Sequence, residues 1–245
     1  IVQLPQKGRE GDHYLYLKGR GISMGVSDRY GVSTAEHYIR DAGKTVPTVA
    51  LPYRDAIKFR AIELKGWAFQ NSPKHLFGID LVNSDEFVIT EGEIDTLSYA
   101  EVGVEACSIP HGARTKFSDD AKFDFLWDAR EKIEGAKKII ISLDNDAPGL
   151  ATAEEIARRI GKSKCWRVTY PEGCKDANDV LVKHGPDALK SMVDCAEPWP
   201  VSGLYDAQHF YKEVLDAYEN GLPPGSSTGY GAVDEFYTVA PGQLT

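Results

Sequence analysis

The sequence predicts an α/β fold: a Rossmann-like parallel sheet with helices on both faces, a small α+β segment before it and a separate helix after it. Three observations carry this. Between residues 83 and 198 short aliphatic runs alternate with segments of helical pattern, the order that builds a parallel sheet covered on both faces. Two of the runs, Val88-Ile89-Thr90 and Ile139-Ile140-Ile141-Ser142-Leu143, read as strands buried on both sides. Both stop abruptly at carboxylates, Glu91-Gly92-Glu93-Ile94-Asp95 and Asp144-Asn145-Asp146, at the strand ends where open α/β sheets bind ligands.

The front segment, 1–82, is mixed. Ser27 to Tyr30 could open a helix. Val46 to Pro52 and Ile57 to Leu64 read as strands, the second alternating Ile57, Phe59 and Ala61 against Lys58, Arg60 and Ile62. In the middle segment, 83–198, strand 86–90 leads to a helix near 93–102. Strand 104–109 leads through Pro110-His111-Gly112 to a helix near 119–134. Strand 137–143 leads to helix 148–160, opened by Pro148 and closed by Gly161. Strand 164–169 leads to helices near 176–184 and 186–195. In the last segment, 199–245, Ala207, Phe210, Tyr211, Val214, Leu215 and Tyr218 make one apolar stripe on a polar helix, which ends at Asn220-Gly221.

Size, charge and cysteine content narrow the function. At 245 residues the chain can bury a core and hold one medium domain plus a smaller one. It has no apolar run of membrane-spanning length and no signal-peptide pattern, so no membrane partner is expected. The cysteines Cys107, Cys165, Cys174 and Cys195 form no Cys-x-x-Cys pair, which argues against a zinc ribbon and a disulfide framework. The net charge of −9 is unevenly spread. Residues 1–80 hold 12 basic against 8 acidic side chains, a net of +4, while residues 81–200 hold 15 against 23. A basic front beside an acidic pocket suits an enzyme that guides a polyanion past metal ions.

Carboxylates gathered at two strand ends repel one another, and hard oxygen donors of this kind call for Mg²⁺ or Mn²⁺. Asp144 and Asp146, two residues apart beyond one strand, could reach the same ion. Asn145 between them carries no charge and is not expected to bear metal. Glu93 and Asp179 read as acids favoured at helix starts. His111 reads as a loop residue, and the remaining histidines have no metal-ligand spacing.

The order Glu-Gly-x-x-Asp, Asp-x-Asp and then Lys175-Asp176-Ala177-Asn178-Asp179-Val180-Leu181 resembles the Toprim domain of primases and phage-type primase–helicases, the Twinkle-like helicases included. The likeness covers roughly residues 50 to 245. It implies a Toprim fold at 83–198 after a basic polymerase subdomain at 1–82, with Leu76-Phe77-Gly78 at their junction. It implies Glu91 as an acid/base or metal-linked residue supported by Asp95, with Asp176 completing a cluster of Glu91, Asp144 and Asp146. Lys58, Arg60, Lys65 and Lys74 become candidates for gripping nucleotide phosphates or template DNA. Pro241-Gly242-Gln243-Leu244-Thr245 resembles the opening of a hexameric RecA-like helicase domain. No Gly-x-x-x-x-Gly-Lys-Ser/Thr follows it, so this chain is not expected to hydrolyse nucleotide as a helicase. The start at Ile1 and the stop within this pattern suggest a piece of a longer protein.

Three functions compete. The first is Mg²⁺-dependent synthesis of RNA primers from ribonucleotides on single-stranded DNA. The second is a catalytically silent Toprim module serving an attached helicase. The third is a Toprim phosphodiesterase, a nuclease or topoisomerase. A response-regulator receiver fits less well, because its acidic pair follows the first strand and here the pair comes late. The resemblance also implies a ring of subunits joined through the 205–220 helix. It places the protein in the cytoplasm of a bacterium or phage-infected cell, or in the mitochondrial matrix of a eukaryote.

Overall fold

The structure, a computed structural model, describes residues 11–115, 123–201, 203, 210–221, 225–236 and 239. The chain divides into two compact units, Ile1–Trp199 and Pro200–Thr245.

The first unit opens with two short helices, α1 (Asp12–Lys18) and α2 (Met24–Arg29). Ser23 caps α2, its hydroxyl accepting from the Val26 amide, so this helix starts before the expected Ser27. An antiparallel sheet follows in the order β1 (Ser33–Ile39), β2 (Lys44–Pro52), β3 (Ile57–Ala61), β4 (Trp67–Gln70). Alternation in β3 holds, with Ile57, Phe59 and Ala61 buried. At Lys58 the opposite face is covered as well. Lys58 pairs with Leu51 on one side and Phe69 on the other, and Leu51 with Val49 packs into the main core of the unit.

The second sheet runs β6-β5-β7-β8-β9, with β5 (Glu86–Thr90), β6 (Ala106–Ser108), β7 (Lys138–Ser142), β8 (Cys165–Arg167) and β9 (Glu197–Pro198). Its first four strands are parallel. The two-residue β9 is antiparallel to β8, an edge that the βα alternation did not announce. Val88 and Ile140 face one core cluster, shared with α3 (Glu93–Glu101), α7 (Ala177–His184) and α8 (Pro186–Asp194). Phe87, Ile89, Ile139 and Ile141 face the other, shared with α4 (Asp124–Asp128), α5 (Arg130–Gly135) and α6 (Ala147–Ile160). Helices on both faces explain why these strands read as unbroken apolar runs. The helix expected near 119–134 is two short helices, α4 and α5, and residues 116–122 lie outside the described residues.

In the second unit α9 (Tyr211–Asn220) carries the predicted stripe, and Phe210, Tyr211, Val214, Leu215 and Tyr218 are all exposed. Ala207 and the Pro241–Thr245 tail lie outside the described residues. A short helix, α10 (Gly231–Asp234), follows, and Ser226 bridges to Val239. Among the described residues no helix is long and apolar enough to cross a membrane. Cys107, Cys165 and Cys174 are buried and Cys195 is exposed, all as free thiols.

Candidate active site

Strand order reverses between β5 and β7. The helix after β5 lies on one face of the sheet and the helix after β7 on the other, the arrangement at whose carboxyl ends open α/β sheets bind ligands. Thr90 and Ser142 are paired at these ends, and the next residues bring the acids. The half-buried Glu91 carboxylate accepts from the Ala113 amide at 3.2 Å and from the Asp144 amide at 3.3 Å. One carboxylate therefore joins the end of β5, the end of β7 and the loop after β6. Burial raises its pKa, against those two amides.

Asp144 stands beside it. Burial, then the Glu91 and Asp176 charges, push its pKa up to about 7. Gly149 makes this turn fit, since a Cβ there would lie 2.0 Å from the Asp144 carbonyl oxygen. Asp146 caps α6, its Oδ1 accepting from the Gly149 amide at 2.8 Å. Asp176 caps α7 in the same way through the Asp179 amide at 2.7 Å. The Lys175 ammonium lies 3.2 Å from Asp176 and 3.9 Å from Asp144. The Asn145 amide donates to the Lys175 carbonyl at 2.8 Å, tying the β7 turn to this loop. Asp95 is buried on α3 and accepts from the Asn178 amide at 3.0 Å. Burial first, and Asp176 next, raise its pKa well above the carboxylate range.

The basic candidates are dispersed. Arg60 donates to the Tyr16 hydroxyl at 2.8 Å, and Arg60 and Lys65 line a cavity of about 730 Å³ with Tyr16, Arg20 and Trp67. Lys74 is exposed, its amide donating to Asp55 at 3.5 Å. Lys58 is elsewhere: its ammonium donates to both oxygens of Glu93 at 2.9 Å. Glu93 is 1 % exposed and also accepts from the Tyr53 hydroxyl, so it is more than an acid at a helix start. Local sequence could not show this, because its partners lie 35 and 40 residues away. Asn178 is a further anchor that the sequence did not announce. Beyond holding Asp95, its side chain donates to the Ser98 hydroxyl and the Arg20 carbonyl, both at 2.9 Å. His111 sits edge-on to Phe69, with ring centroids 5.7 Å apart.

Residues 88–181 match the Toprim-like family. The chain carries a Toprim domain. It is 40% identical over 206 residues to the Twinkle homolog protein, chloroplastic/mitochondrial, of Arabidopsis thaliana, covering 77% of this chain and 29% of that one. It is 38% identical over 159 residues to the Primase homolog protein of the same plant, covering 59% and 47%. The primase fragment of the bacteriophage T7 primase–helicase superposes with a TM-score of 0.60 at 26% identity, over 72% of each chain. The Toprim chain is thus homologous to Twinkle-like proteins and to the primase part of phage-type primase–helicases, and it spans less than half the length of either plant relative.

Among the described residues no three acidic, histidine or cysteine side chains converge into a ready metal cage. The Toprim acids nevertheless fit a hard cation chemically. They are oxygen donors at the ends of adjacent strands, and a cation would relieve both the burial and the Glu91 and Asp176 charges that raise Asp144.

Proposed function

We propose that this chain is the primer-synthesising part of a primase–helicase, joining ribonucleotides on single-stranded DNA. The observation that carries the reading is Glu91 bonded to the Asp144 amide at the crossover of a Toprim sheet. Three more acids, Asp144, Asp95 and Asp176, act on one another there.

Primer extension is attack of a 3′-hydroxyl on an α-phosphate with pyrophosphate leaving, and its demands are positioning and charge neutralisation. Glu91, Asp144 and Asp146, with Asp176, would hold Mg²⁺ or Mn²⁺, which supplies that neutralisation when bound. Glu91 is placed to orient the reacting groups, because two backbone amides fix its carboxylate. Asp95 braces the far side of the cluster through the Asn178 amide. Lys175, beside Asp144 and Asp176, limits repulsion before substrate arrives. Arg60 and Lys65 on the cavity wall, and exposed Lys74, would meet template or nucleotide phosphates.

In this reading residues 1–82 form the basic subdomain, 83–198 the Toprim domain and 199–245 the linker to a helicase. The exposed stripe of α9 would pack on a neighbouring subunit in a ring. The protein would work wherever its replicating DNA lies, in a bacterial or phage-infected cytoplasm or in an organelle. The test is primer synthesis by the full-length protein before and after Glu91→Gln. Loss of primers with unwinding retained supports the proposal. Unwinding without primers in the unaltered protein supports a silent module.

A further inference from the structure

Lys58 lies on the face of β3 turned toward α3, and its surroundings are not those of a group waiting for phosphate. Its side chain is 15% exposed and its ammonium bonds both oxygens of Glu93. The same nitrogen sits 5.6 Å from the centre of the Trp67 ring and 5.7 Å from that of Phe69, the aromatic arrangement that stabilises a cation in place. Glu93 is deeper still, and its third bond comes from Tyr53, itself buried at the end of β2. Burying such a pair is costly unless both groups are hydrogen-bonded, and removing one partner strands the other.

Two segments that flank Glu91 reach this patch, while its bond from the Asp144 amide comes from elsewhere. Glu93 is two residues after Glu91, at the first turn of α3, and is fastened to Lys58 and Tyr53. On the other side, the Ala113 amide that bonds Glu91 follows His111 by two residues, and the His111 ring rests edge-on against Phe69. Lys58 and Phe69 are cross-strand partners on β3 and β4. The face of the small sheet therefore meets the loop before Glu91's amide donor and the helix start after Glu91 itself.

We infer that Lys58 and Glu93 are positioning residues: their buried pair clamps the β3–β4 face to the start of α3 and so sets the place of the Glu91 carboxylate. Lys58 then acts through Glu93 and not by gripping nucleotide. This inference rests on the primase reading for its activity arm, so the test carries a second arm that does not.

Three variants decide it: Lys58→Met, Glu93→Gln and the double substitution. Each single change strands one buried partner, whereas the double change leaves two neutral groups of similar size. In the primer assay the single variants are expected to lose kcat at least tenfold with the KM for ribonucleotide within about twofold, and the double variant to regain most of the kcat. Lys58→Arg, which keeps the charge, is expected to stay near the unaltered rate. Independently of priming, Mn²⁺ titration should show weaker binding in both single variants and recovery in the double one. If the unaltered protein makes no primers, the primase reading fails while the Mn²⁺ arm still judges the clamp. The inference is overturned if Lys58→Met raises the ribonucleotide KM and the double variant does no better. With no priming to read, Mn²⁺ affinity unchanged across the variants overturns it. Should a single variant not fold, a double variant that folds and binds Mn²⁺ normally supports the clamp, and one that folds without binding contradicts it.

Discussion

At the scale of single residues, burying the strand-end acids costs stability. Asp144 has a folded-state pKa of about 7, against about 3.9 for an unperturbed aspartate. Between those values the metal-free folded state keeps a proton that the unfolded chain has lost. Stability contributed by this group is therefore full at low pH and is lost as pH rises through the folded value. Buried Asp95, also raised, acts in the same direction. The melting temperature of the metal-free chain should fall between about pH 5 and pH 8, and Asp144→Asn should flatten part of that fall in calorimetry. A steeper fall in the variant would contradict the assignment. Gly149 gives a second expectation. An added methyl would collide with the Asp144 carbonyl 2.0 Å away, backbone that cannot step aside. Gly149→Ala should cost on the order of 3 kcal/mol in denaturant unfolding, and a change under about 0.5 kcal/mol would mean the turn adapts.

At the scale of elements, legibility followed how local each signal was. The β5 and β7 strands and helix α6 were readable because aliphatic runs, Pro148 and Gly161 are all short-range marks. The positions of Glu91 and Asp144 followed from them. β1 was not readable: Ser33–Ile39 mixes Glu36 and His37 with apolar residues, and His37 is held by stacking on Phe59 from β3, 4.0 Å between centroids. β4 has four residues and finds its place by pairing with β3. The surroundings of Lys58 were hidden because sequence shows that β3 alternates but not that its second face is covered at Lys58. Helix α9 was readable as an amphipathic helix, and Tyr211, Val214, Leu215 and Tyr218 of its stripe are exposed. Phe210→Asp with Leu215→Asp in the full-length protein should shift light scattering from a ring to smaller species. A ring of unchanged mass would show that the stripe has another use.

At the scale of the whole molecule, the basic candidates and the acids come from different segments of the chain, and the proposed function needs both. In the proposed function the acidic excess of residues 81–200 would gather cations, while the front segment would offer Arg60, Lys65 and Lys74 to a polyanion. Binding of single-stranded DNA should therefore weaken steeply with salt. Arg60→Ala with Lys65→Ala should lower both the affinity and the salt slope in fluorescence titrations, by about 0.7 in slope for each phosphate no longer neutralised. An unchanged slope would place the DNA path elsewhere. Centrally, Glu91 and Asp144 form the catalytic end of a primer-synthesising Toprim sheet in this proposal. The most direct measurement is to incubate the full-length protein with single-stranded DNA, labelled ribonucleotides and Mg²⁺, and to resolve the products by length. Short oligoribonucleotides are predicted, and they should vanish on chelation and in Glu91→Gln or Asp144→Asn. Primers made undiminished by those variants, or none made by an unaltered protein that unwinds DNA normally, would contradict it.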